Sequence, residues 1–310
     1  MQTICGVDVS QAWLDGWIEG AGHRRFANGD EGVAALAAWA VEHDVALVVM
    51  EASGGIEQAA YLALWRHGCP CAVANPKAVR RFAEAMGHLE KTDRIDAEVI
   101  AGFAAARRLQ PMPPPSAEQQ RLTALAARLR QVTADLGVQK QRVHTTRDPD
   151  ALASLREAIA FFTGQATKLA REIGALVEAD PLWQALDRTF RSVKGVADRT
   201  VATLLAELPE IGTISNKAIA KLAGLAPIAN DSGKRHGPRT IRGGRASVRS
   251  ILFLVADIAR KYDPTLADFR DRLVAQGKPK MVVRIALARK LLVRLNAKAR
   301  ETRTKLAYAH

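Results

Sequence analysis

Cysteine is scarce: Cys5, Cys69 and Cys71 are the chain's complement in 310 residues. So sparse and odd a set cannot build a disulfide framework, and a reducing cytoplasm is the expected setting. No second Cys or His pair at zinc spacing accompanies His67, Cys69 and Cys71. Those three are a weak metal candidate beside the plainer reading of buried thiols at a turn and strand. Long apolar runs are also missing. Nothing approaches the roughly 18 uncharged residues of a membrane span, and residues 1–10 lack the basic and apolar regions of an export signal. Neither a membrane span nor export is therefore expected. Aromatics make up only 5% of the chain, with the tryptophans mainly in apolar stretches. Base stacking is thus not the expected main contact with nucleic acid, and duplex shape and backbone recognition are favoured.

Positive charge is abundant, and it is unevenly placed. Residues 232–310 hold 20 Lys and Arg against 5 Asp and Glu, while the remainder of the chain is close to neutral. A basic last quarter on a near-neutral chain is the footprint of a surface that meets a polyanion, nucleic acid before membrane.

Three parts follow from the pattern. Residues 1–110 alternate strands and helices: strands at 3–9, 13–18 and one ending at Phe26, then a helix carrying Val33, Leu36, Trp39 and Val41. A continuous apolar strand follows at 46–50, then a helix near 56–67 and a strand at 71–74. This βββαβαβ order is that of a ribonuclease H-like fold. Residues 111–181 open with Pro111-Met-Pro-Pro-Pro115, which cannot be helical. Ser116 and Gln119 form an expected capping box. Two helices with apolar residues at 3-4 spacing then read as an antiparallel coiled-coil hairpin, a spacer or a dimerisation element. Residues 182–310 are helical. Within them Ser192-Val-Lys-Gly-Val196 resembles half of a helix-hairpin-helix, or an ordinary glycine connection, and residues 230–245 form a basic, glycine-rich segment expected as an exposed loop.

Four carboxylates stand out. Asp8 lies on the first strand, Glu51 at the end of the strand of residues 46–50, and Asp93 and Asp96 on one helical face of Lys91-Thr-Asp-Arg-Ile-Asp-Ala97. Neighbouring first and fourth strands would gather like charges that repel unless hard divalent cations intervene. Two such ions would suit phosphodiester cleavage. Any one of these acids alone would read as a solvated cap or ion pair.

The chain resembles the Piv-related DEDD-type insertion-sequence transposases. The resemblance rests on Gly6-Val-Asp-Val-Ser10, Met50-Glu-Ala-Ser-Gly54, Asn75-Pro-Lys77, Lys91-Thr-Asp-Arg-Ile-Asp-Ala97 and Leu222-Ala-Gly-Leu-Ala-Pro227 leading to Asp231-Ser-Gly233. It implies a RuvC-like nuclease domain, a coiled-coil linker and a C-terminal transposase domain. Implied with it are Asp8, Glu51, Asp93 and Asp96 as Mg²⁺ ligands, and Ser232 as the nucleophile. A bridge RNA pairing with donor and target double-stranded DNA is a further implication, as are homodimers that assemble into tetramers with shared active sites. Lys194-Gly-Val-Ala197 departs from the Pro-Gly-Ile-Gly that relatives often carry.

A serine hydroxyl needs activation before it attacks phosphorus. His236 is the one base in the loop, so activation is expected from the carboxylate centre, with Lys91, Lys234, Arg235, Arg239, Arg242 and Arg245 on phosphates. From residues alone, Ser232 would pass for a turn residue. Ser53 reads as a cap or support behind Glu51. Two other functions fit parts of the pattern: a resolvase-like endonuclease using water, and a DNA-binding protein without catalysis.

Overall fold

Three hairpin-linked strands open the chain: β1 (Ile4–Val9), β2 (Trp13–Ile18) and β3 (Gly22–Ala27). This computed structural model describes residues 2–87, 93–233, 235–237 and 239–308, without the side chains of 93–95, 235 and 236. After β3 come α1 (Asp30–Glu42), β4 (Leu47–Glu51), α2 (Glu57–Arg66), β5 (Cys71–Ala74), α3 (Pro76–Ala85) and α4 (Asp93–Arg107). The sheet order is β3-β2-β1-β4-β5, antiparallel across the hairpins and parallel from β1 to β5. This is the order the strand pattern predicts.

Alternation divides the sheet into two faces. Val7, Leu14, Ile18, Val48 and Met50 pack with Leu36 and Trp39 of α1. Leu47, Val49, Ala72 and Ala74 pack with Val79 of α3 and Ile100 and Phe103 of α4. Val41, expected on the buried face of α1, is exposed although Ala40 beside it is buried, because the helical turn of about 100° per residue carries it off the stripe of Val33, Leu36, Ala37 and Ala40. Asn75 caps α3 by accepting the Ala78 amide, with Pro76 as the first helical residue.

The chain forms two compact units, Met1–Pro115 and Ser116–His310. The first residues of the proline run stay with the first unit: Met112 N donates to Cys71 O at 2.8 Å, and the Tyr61 hydroxyl donates to Met112 O.

The second unit begins with α5 (Ala117–Thr145) and α6 (Pro149–Ala179), packed as a hairpin. Its helices continue as α7 (Pro181–Arg191), α8 (Asp198–Glu207) and α9 (Asn216–Leu222). Four short strands follow, β6 (Pro227–Ile228), β7 (Asp231–Ser232), β8 (Arg235–His236) and β9 (Thr240–Ile241). The chain closes with α10 (Ala246–Ala259), α11 (Pro264–Ala275) and α12 (Lys280–Ala307). Leu122, Ala126, Ile173 and Val177 at the hairpin root share one core with Phe190, Leu205, Leu252 and Leu291. Ser116 makes its half of the expected capping box, Oγ accepting the Gln119 amide at 3.2 Å. Gln119 does not reach back. Its side chain donates instead to the carbonyls of Leu205 and Ala206 at the end of α8. Farther out, Leu136, Val143, Leu152, Leu155 and Ile159 are only half-buried, since two helices leave one side of such a seam open.

Candidate active site

Register carries the first unit's site. Asp15 pairs with Asp8 across β1 and β2, and with Arg25 across β2 and β3. The parallel pairing of β1 and β4 runs to Val7 and Met50, so Asp8 and Glu51 follow at the next rung, and Glu51 pairs with Ala74. Directly paired residues share a face. Arg25, Asp15, Asp8, Glu51 and Ala74 therefore form one transverse row across all five strands, on the side covered by α4. The row ends at the carboxyl ends of β4 and β5, where open α/β sheets place their ligands.

Gly6 brings α4 close. A Cβ there would lie 2.6 Å from Ala101 N and nearer still to the Ala97 carbonyl oxygen. Strand and helix backbones thus touch at a point only glycine tolerates. Asp93 opens α4 one turn before Ala97, and Asp96 stands one turn before Ile100, which packs against β4 and β5. The N-terminal turn of α4 overlies the row. Among the described residues, no three His, Cys, Asp or Glu side chains are near enough to hold a metal.

The loop after Glu51 is built by a residue the sequence reading passed over. Glu57 is buried, and its Oε2 accepts the Ser53 and Gly55 amides at 3.0 and 2.9 Å. Ser53 donates its hydroxyl to the Glu51 carbonyl at 3.1 Å, a support behind that residue. Asp15 and Arg25 were also passed over. The only signal for Asp15 was its even spacing with Trp13 and Trp17 on a strand. The three thiols are buried, with burial pushing Cys5 up to about 12 and raising Cys69 and Cys71. His67 is exposed, and these residues behave as core thiols.

In the second unit the segment expected as a loop is a nested hairpin. β6 pairs with β9, and within them β7 pairs with β8, Ser232 opposite Arg235. Ser232 is exposed beside Gly233, whose φ of +54° makes the turn. The root of this arm is pinched: a Cβ on Gly244 would lie 2.5 Å from Gly224 Cα, and one on Gly224 would strike the Gly243 carbonyl. Arg245 N donates to Leu222 O at 2.9 Å, and Arg249 Nη1 to Gly243 O at 2.7 Å.

The cations expected on phosphate divide. Arg242 is exposed, and Arg239 is exposed with Asp231 3.8 Å away. Arg245 is committed to the fold: Nη1 donates to Glu207 O at 3.0 Å and Nη2 to Glu210 Oε1 at 2.6 Å. Burial raises the Glu210 carboxyl, but the Arg245 bonds and its own backbone together hold it below the usual range. Arg235 and Asp93 are placed by backbone only, and Lys91 and Lys234 lie outside the described residues. After the Gly195 turn, α8 begins at Asp198 with Ala197 at its N-cap position and no side-chain cap. Among the described residues no helix is long and apolar enough to cross a membrane.

The carboxylate row across the sheet and the basic helical unit lie on one chain. Comparison with known proteins supplies the family. A model of the DEDD IS110 type, described as "Transposase", matches residues 5–148, and one described as "Transposase IS116/IS110/IS902 family" matches residues 187–271. The pilin gene-inverting proteins of Moraxella bovis and Moraxella lacunata are 26% and 27% identical, each over 97% of both chains. The insertion element IS110 uncharacterized 43.6 kDa protein of Streptomyces coelicolor is 33% identical over 48% of this chain and 36% of its own. A Thermus thermophilus RuvC structure aligns with 36% of this chain and 100% of its own, at TM-score 0.27 and 16% identity. The chain belongs to the DEDD-type insertion-sequence transposases of the IS110 group. Its substrate class is DNA.

Proposed function

We propose that the protein cuts and rejoins double-stranded DNA at an insertion sequence through a covalent bond to Ser232. The observation that carries this reading is the row that sets Asp8 beside Glu51 under the N-terminal turn of α4, which bears Asp93 and Asp96. An all-carboxylate donor set suits a hard divalent cation, and Asp8, Glu51, Asp93 and Asp96 would hold Mg²⁺, two ions by the resemblance. Bound there, the metal supplies Lewis-acid stabilisation of charge on phosphate oxygens.

The chain's own residues do the rest. Ser232 Oγ attacks the scissile phosphorus, a serine–phosphate ester forms as one bond to a deoxyribose oxygen breaks, and that oxygen leaves as a hydroxyl with the serine's proton. Rejoining reverses the step with a hydroxyl from another strand. Arg239 and Arg242 on the same arm compensate phosphate charge. The names of the Moraxella relatives speak of gene inversion, which needs both cutting and rejoining. A bridge RNA as guide follows from the family resemblance. The half-buried outer seam of α5 and α6 supports homodimers through a second copy's hairpin, and tetramers from these.

The test incubates the protein with its flanking DNA and Mg²⁺ and reads a denaturing gel for protein joined to a cleaved strand. An adduct lost in Ser232→Ala supports the reading. Cleavage without adduct, indifferent to that substitution, replaces it with a water-using, resolvase-like endonuclease, and no cleavage with intact binding leaves a DNA-binding protein.

A further inference from the structure

A cavity of about 550 Å³ lies in the second unit, lined by α10, α11, α12 and the connection between the last two. Five cations border it, Arg260, Arg270, Lys278, Lys280 and Arg284, against one carboxylate, Asp257. Asp257 cannot balance them. Arg260 Nε donates to its Oδ1 at 2.8 Å, and Arg284 Nη2 lies 3.7 Å from its Oδ2. Arg270 Nη1 donates to Asp271, its neighbour in sequence, at 2.9 Å. Lys278 and Lys280 are exposed, and neither ammonium has a carboxylate or hydrogen-bond partner among the described residues. Arg284 is stacked on Phe253, Cζ 4.0 Å from the ring centroid, and its Nε is buried with no hydrogen-bond partner. No acid stands in the first turn of α12, and Pro279 at its N-cap offers no side-chain acceptor. The wall therefore carries charge that the surrounding helices do not offset.

Its shape strengthens that charge. Val274, Val283 and Leu287 supply the apolar part of the lining, and in a concave space with apolar walls an anion is attracted more strongly than over an open surface. The remainder of the chain, close to neutral, gives a second copy little acidic surface to place there. Nucleic acid brings a charge at every phosphate.

We propose that this cavity binds a backbone phosphate of nucleic acid, with Lys278 and Lys280 as the cations that close on it. The contact is built from residues other than those of the arm, and it does not depend on how a strand is cut.

The test is salt-dependent binding of the full-length protein, in EDTA, to a duplex DNA oligonucleotide and to an RNA hairpin. Lys278→Gln/Lys280→Gln is expected to lower the slope of log Kd against log salt by about two and to weaken binding roughly sixty-fold at 0.1 M salt. Lys278→Arg/Lys280→Arg keeps both charges and should keep the slope. Lys168→Gln/Arg171→Gln removes the same charge from an exposed stretch of α6 and should leave the slope unchanged. Both cavity lysines are exposed, so the double variant should show wild-type helical circular dichroism; if it does not, the single variants carry the measurement at about one each. A loss on the duplex alone assigns the phosphate to DNA, a loss on the hairpin alone to RNA, and a loss on both to the backbone of either. Wild-type slopes on both in a folded variant overturn the proposal and leave the cavity to an acidic protein segment. An equal loss in the α6 variant overturns it too, since net charge alone would then account for the effect. Failure of the cutting reading would show separately, in the adduct gel, because no metal-dependent step enters here.

Discussion

In the first unit the candidate chemistry is built into a sheet, with Asp8 and Glu51 at one level on neighbouring strands, whereas in the second Ser232 stands exposed on an arm rooted in an aliphatic core. Gathering like charges requires spacing that cannot relax, and backbone register supplies it. On the proposed reading, a serine that must take hold of a strand and release it needs reach instead. Both units nevertheless anchor their chemistry the same way, by glycines that let backbones touch: Gly6 against α4, and Gly224 against Gly243 and Gly244.

The largest expected effect tests the sheet. Asp8→Asn should lower strand cleavage by roughly 10³-fold on a denaturing gel while duplex binding by gel shift stays intact; loss of both together would make Asp8 a folding residue. Next is Gly6→Ala, which forces α4 off β1. It should cost about 3 kcal/mol in denaturant unfolding, with the tryptophan signal moving first, since four of the five tryptophans, Trp13, Trp17, Trp39 and Trp65, lie in the first unit. In the second unit, buried Asn296 accepts the Gly212 amide and donates to Ile214 O and Asn216 Oδ1. Asn296→Leu should cost about 2 kcal/mol by stranding those groups, read as an earlier loss of helical circular dichroism.

The smallest effect, in pH, should run opposite ways in the two units. Hydrogen bonds from Arg191 and Arg260 hold Asp198 and Asp257 below their ordinary 3.8. That stability is present above pH 3.8 and lost as pH falls through the lowered folded values. Burial raises Cys5 from 9.0 to about 12, so its share is full below pH 9 and lost as pH rises toward 12. Helical signal should therefore weaken first in acid and tryptophan signal first in alkali; identical profiles would show that the units unfold as one.

Much of the first unit was legible because strand order and the place of Asp8 and Glu51 follow from apolar runs and chain direction. Asp15 and Arg25 were not, since cross-strand pairing depends on the turns between β1, β2 and β3, which the side-chain pattern does not encode. In the arm, strands of two residues carry no alternation to read. Arg245 looked like its neighbours in a basic run, and only the fold shows that Glu210 claims it. The half-made capping box has a similar cause: Gln119 answers to α8, remote in sequence.

The pinch between Gly224 and Gly244 separates residues 225–243 from the helical core at a single point. Both ends are fixed by the core, so the entropy of closing this loop varies only slowly with its length, about 0.6 kcal/mol for each doubling. Insertions or new side chains in the arm would leave the helical core's stability nearly untouched.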